Sequence, residues 1–184
     1  MSLIALLYLV GCQVSVGESG TEEANETLSS ESWDLVAPES WVIDQSADSF
    51  PEHLTAKHTC DPNGMVVEDG VLEIYTGDCG YLVARQPSLE KIDVGDVVEV
   101  LVYHSRLTAK EPAEAHAALS IDGELVWEET VSIPSISLVY ATEVLATFEA
   151  DAGADVVLHV HNHGSNVWSV GHLRVRRSVG MGTH

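Results

Sequence analysis

His116-Ala117-Ala118-Leu119-Ser120-Ile121-Asp122-Gly123-Glu124 is the stretch on which the fold reading turns. Ala117, Leu119 and Ile121 alternate with His116, Ala118 and Ser120, the period of two that sends successive side chains to opposite faces of a strand. Asp122-Gly123 then stands where a two-residue hairpin needs positive φ twice, which Asp and Gly tolerate. Glu68-Asp69-Gly70-Val71 repeats the device. Working outward, Val98, Val100 and Val102 alternate with Glu99, Leu101 and Tyr103. Val156, Leu158 and Val160 alternate with Val157, His159 and His161. From 167 to 176, Val167, Ser169, Gly171, Leu173 and Val175 face one way and Trp168, Val170, His172, Arg174 and Arg176 the other. Turn signals fall at Pro62-Asn63-Gly64, Gly95-Asp96, Ile133-Pro134-Ser135 and Asp151-Ala152-Gly153. Residues 109–117 have helix-forming letters, but Pro112 interrupts them, so they read as a loop entering a strand. Nine or ten short strands on one core predict an all-β fold, a β-sandwich of jelly-roll type.

The chain has 184 residues, enough for one core with a tail. It carries 29 Asp and Glu against 8 Lys and Arg, a formal charge of −21. Such a surface repels a phosphate backbone, which excludes nucleic acid as the expected partner. No apolar run has the length of a membrane span.

Residues 3–10, Leu-Ile-Ala-Leu-Leu-Tyr-Leu-Val, have the length of a signal-peptide apolar segment. They run into Leu9-Val10-Gly11-Cys12, which resembles the lipobox of bacterial lipoproteins. The departure is the missing basic segment, since the first Lys or Arg is Lys57. The resemblance implies that 1–11 is a lipoprotein signal peptide and that Cys12 is lipidated, giving a membrane partner through a lipid anchor. Gln13, rather than Asp, follows Cys12, which by the same resemblance favours the outer membrane of the cell envelope. Residues 12–32 are rich in Glu, Ser, Thr and Gly, too poor in apolar groups to offset ordering, and read as a disordered acidic tether. The sandwich domain is expected over 33–178, with 179–184 a flexible tail.

Three cysteines occur, Cys12, Cys60 and Cys79. With Cys12 lipidated, two remain in an oxidising compartment, and a Cys60–Cys79 disulfide is expected. A loop of that length is worth about 3 kcal/mol in the chain-entropy account. The spacing is not CxxC, which argues against a thiolate metal site.

Asn162-His163-Gly164-Ser165-Asn166-Val167-Trp168, set between two strands, looks like the last strand pair of galactose-binding-like jelly rolls and carbohydrate-binding modules. The resemblance spans some twenty residues and implies the fold, not a binding residue. Aromatic rings suited to stacking on sugars are Trp33, Trp41, Trp127, Trp168, Tyr81 and Tyr103. Trp168, Trp127, Tyr103 and Asn166 are the ligand-binding candidates, with core packing the competing account for the two tryptophans.

His159, His161 and His163 share a face of their strand. The outer two lie about 13 Å apart along an ideal strand, so all three do not reach one ion. A third ligand must come from another strand, and His104 or His116 is the candidate. His161, in the middle, is the expected first ligand. Imidazoles suit Zn or Cu. The simpler account is polar surface or separately hydrogen-bonded histidine. Gly153, His159 and His161 also resemble the opening of the first cupin motif. Ser165 and Asn166 stand where its glutamate belongs, and that reading fails. Glu128 and Glu129 read as solvated charge rather than a calcium site. No nucleophile elbow, zinc-protease helix or phosphate loop occurs, and no catalytic residue is assigned.

The leading expectation is a lipid-anchored envelope jelly-roll module that binds a glycan or a protein without catalysis. The alternatives are a histidine-based metal-binding protein or small metalloenzyme, and a structural envelope lipoprotein. The orientation of His159, His161 and His163 relative to His104 and His116 separates them.

Overall fold

The computed structural model describes residues 31–53, 60 and 63–177. The expected signal peptide, Cys12, most of the expected tether and all of the expected tail lie outside the described residues. Eleven strands occur among the described residues: β1 (Ser32–Asp34), β2 (Val42–Ile43), β3 (Met65–Glu68), β4 (Val71–Tyr75), β5 (Tyr81–Pro87), β6 (Val97–His104), β7 (Ala113–Ile121), β8 (Glu124–Ile133), β9 (Leu138–Leu145), β10 (Asp155–His161) and β11 (Val167–Arg176). Three 3₁₀ turns, Pro38–Ser40, Gln45–Ala47 and Pro51–His53, complete the regular structure. No helix among the described residues is long and apolar enough to cross a membrane.

The strands form two antiparallel sheets, the β-sandwich that the alternating runs predict. The first has the order β3-β4-β11-β6-β9, with β1 also paired to β11; the second has the order β2-β5-β10-β7-β8. From β4 to β7 the chain changes sheet at each strand, and it changes again at β9, β10 and β11, the winding of a jelly roll. Both Asp-Gly hairpins form: Asp69 and Gly70 have φ of 50° and 78°, and Asp122 and Gly123 have 51° and 83°.

The core lies between the sheets. Leu158 and Val160 of β10 and Ala117, Leu119 and Ile121 of β7 meet Val98, Val100 and Val102 of β6. Strict alternation fails in β11. Its register shifts between Val170 and His172, so Trp168, Val170, Leu173 and Val175 all face the core. Gly171 sits at this bulge, where a Cβ would stand 2.8 Å from the Leu101 side chain. A glycine there lets β11 keep its apolar set inward across the extra residue. Cys60 and Cys79 are joined as a disulfide, as the cysteine count predicts, with Cys79 fully buried between β4 and β5.

Candidate functional site

The two sandwich faces differ. The outer face of the first sheet is laced with solvated ion pairs, Arg174 to Asp34 at 2.6 Å and Arg176 to Glu99 at 2.7 Å and to Glu143 at 2.8 Å. The outer face of the second sheet is partly roofed by the segment from Asp44 to His53. Beneath that roof lie Tyr81 and Val83 of β5 and Val157 and His159 of β10.

The roof is pinned at two places. At one, Asp44 caps its 3₁₀ turn by accepting from Ser46 N at 3.0 Å and pairs with Arg85 Nε at 3.0 Å. At the other, the buried Asp48 carboxylate gathers three donors. Its Oδ1 accepts from Phe50 N at 3.0 Å and from His159 Nδ1 at 2.9 Å, and its Oδ2 accepts from the Tyr81 hydroxyl. Burial, then Asp48, push the Tyr81 phenol well above its ordinary range, so it remains a donor. Burial also lowers the pKa of His159, to about 4, outweighing Asp48, which acts the other way. His159 is thus neutral at pH 7. Because its Nδ1–H donates to a carboxylate, Nε2 carries the lone pair.

That nitrogen lies 3.2 Å from Nδ1 of His53. His116 of β7 approaches from the other side, with ring centroids 4.9 Å from His53 and 5.1 Å from His159. Its Nε2 donates to Glu128 Oε1 at 2.7 Å, while its buried Nδ1 has no partner among the described residues. One nitrogen from each of His53, His116 and His159 falls within 4.8 Å of the others, a spacing compatible with one metal ion. Phe50 packs edge-on against His116 at 4.6 Å and completes the apolar surround.

His53 and His116 floor one end of an open trough of about 1110 Å³, lined also by Phe50, Pro112, Glu114, Thr130 and His163 among others. Part of its rim is the 162–166 segment, which contributes His163 and Gly164. Asn166 there is buried and spends its side chain on Thr108 and on the His163 carbonyl. Asn162 accepts from Trp168 Nε1 at 3.2 Å and donates to Thr76 Oγ1 at 2.9 Å.

The structure therefore joins some of the sequence candidates and separates others. His159 and His116 come together, since register places β10 beside β7. His161 is not central. Its ring stacks on His53 at 4.8 Å, one step along β10 from His159, and meets exposed His163 at 4.9 Å. His104 is on the first sheet, turned inward, where Nδ1 donates to the Ser105 carbonyl at 2.7 Å; it does not approach His161. Trp127 and Trp168 lie in the core at 5% and 1% exposure and offer no face to a sugar. Tyr103 is on the outer face of the first sheet, away from the trough, in line with alternation along β6. Asn166 holds the rim rather than reaching into the trough. Glu128, read as bare charge, is the partner of His116. Sequence reasoning missed His53 and Asp48. Their only signal is the run Asp48-Ser49-Phe50-Pro51-Glu52-His53, which has no strand period and becomes a site only by folding back over β10.

No protein-family model and no curated protein matches the sequence. Among solved structures, a carbohydrate-binding module described as "CBM4 structure and function" is similar over 80% of this chain and 95% of its own, at 12% identity and a TM-score of 0.43. A CBM35 from Paenibacillus barcinonensis is similar over 80% of this chain and 99% of its own, at 10% identity and 0.38. The Agl-KA catalytic domain is similar over 81% of this chain but 28% of its own, at 10% identity and 0.42. Likeness at this level transfers neither ligand nor residue.

Proposed function

We propose that this chain is a non-catalytic ligand-binding module of the bacterial cell envelope, anchored by lipid at Cys12, and that its ligand is a neutral glycan lying in the trough on the second sheet. The observation that carries the reading is the lining of that trough. Apolar surface from Phe50, Pro112 and Ala113 alternates with hydrogen-bonding groups from Lys110, Glu114, Thr130 and His163. Sugars present the same mixture, with C–H faces for apolar contact and a rim of hydroxyls for polar side chains. Among the described lining residues, Glu52, Glu111, Glu114 and Glu128 outnumber the cation Lys110, which disfavours uronic acids and other anionic ligands.

A panel of immobilised neutral and acidic glycans, probed with the full chain, tests this. Saturable binding to a neutral glycan is expected, lost in Thr130→Trp, which fills the trough from exposed β8, and kept in Tyr103→Ala on the opposite face. Binding that Thr130→Trp leaves intact, or no binding across the panel, sinks the reading.

A further inference from the structure

We propose that His53, His116 and His159 form a zinc site, with Asp48 and Glu128 as the carboxylates that orient two of the three ligands. Each carboxylate holds one ring nitrogen of its histidine and leaves the other with a lone pair. Asp48 fixes the proton of His159 on Nδ1, leaving Nε2 as the lone pair. Glu128 fixes the proton of His116 on Nε2, leaving Nδ1 as the lone pair. A metal-bound histidine is held by this arrangement, its second nitrogen donating to a carboxylate that sets tautomer and basicity. Two such pairs converging on one point are not needed to explain a polar surface.

The spacing agrees. Two nitrogens bound to tetrahedral zinc at about 2.0–2.1 Å stand about 3.3–3.4 Å apart, and Nε2 of His159 is 3.2 Å from Nδ1 of His53. The buried Nδ1 of His116 has no partner among the described residues, a state that costs stability unless something fills it. A borderline-soft ion with imidazole preference does so. Three protein ligands leave a fourth position, the pattern of zinc sites that keep an exchangeable ligand. His53 and His116 also line the trough, which gives an ion a path in from solvent. The site stands on its own residues, whether or not the trough takes a glycan.

The test uses the full chain, purified without a histidine tag, stripped by chelator and titrated calorimetrically with zinc alone. One zinc per chain is expected, saturating at micromolar concentration or below. Titration with cobalt(II) should give the visible absorption of a four-coordinate ion. His159→Gln and His116→Gln should each abolish stoichiometric binding, while His161→Ala and His104→Ala keep it. Glu128→Gln retains all three imidazoles and should weaken zinc about 10–100-fold through the lost outer partner. Millimolar, non-saturating binding by the wild type overturns the proposal, as does loss of zinc in His161→Ala or His104→Ala. Should the histidine variants fail to fold, Glu128→Gln decides: unchanged affinity in folded protein overturns the site. Glycan binding measured in chelator reports on the trough separately.

Discussion

Asp48 replaces the solvent that His159 has given up. Its carboxylate is itself buried, and three donors repay the loss of water: an amide, a phenol and an imidazole. Even so, burial wins at His159, whose pKa is lowered to about 4. The unfolded chain takes up that proton near pH 6.5. Between those values the unfolded state binds more protons than the folded state, so unfolding is favoured by acid. The stability is fully present above about pH 6.5 and declines as pH falls toward about 4, by about 3 kcal/mol from this one group. His159→Gln should remove that component. Urea unfolding of chelator-treated wild type and variant, at about pH 7 and about pH 4.5, should show the smaller acid loss in the variant; equal losses would count against it. At this scale the sequence shows His159 and His116 by strand period alone. It hides Asp48 and His53 because no period links a loop to the strand it covers.

Between elements, glycines with similar backbone angles play unequal parts. Gly123 has φ +83° and nothing within 4 Å of an added Cβ, so Gly123→Ala meets only the cost of a left-handed residue, about 1–2 kcal/mol. Gly164 has φ +91°, but its Cβ would stand 2.1 Å from the Thr108 carbonyl oxygen. Backbone cannot swing aside there, because Asn166 clamps Thr108 on both its amide and its carbonyl. Gly164→Ala should therefore cost clearly more than Gly123→Ala, about 3 kcal/mol or above. It should also displace the trough rim. Paired denaturation midpoints check the order, and equal values would show that the rim yields. The Asp-Gly hairpins are legible because both demands on the turn are local. The β11 bulge is not, because Gly171 is chosen by Leu101 of the neighbouring strand, a contact that β11 alone does not encode.

For the molecule as a whole, charge and attachment belong together. A chain with a formal charge of −21 is repelled by an anionic membrane surface over a screening length of about 8–10 Å. The fold enters at Ser32, paired with Arg176 on β11. Under the proposed anchoring about 20 residues separate the lipid from Ser32, and any flexible linker of that length spans about 25 Å, beyond the screening length. An acidic domain can then sit clear of the surface with the trough on its second sheet open to ligand. A single acyl chain holds a protein only marginally, whereas several chains hold it firmly. The lipobox-like Leu9-Val10-Gly11-Cys12 supports the latter kind of attachment. In a bacterial host fed labelled fatty acid, the wild type should take up label and partition with membranes. Cys12→Ala should remain unlabelled, and its Cys60–Cys79 disulfide gives it no other thiol to acylate. Equal labelling of both proteins would end the anchoring argument while leaving the trough and the histidine site untouched.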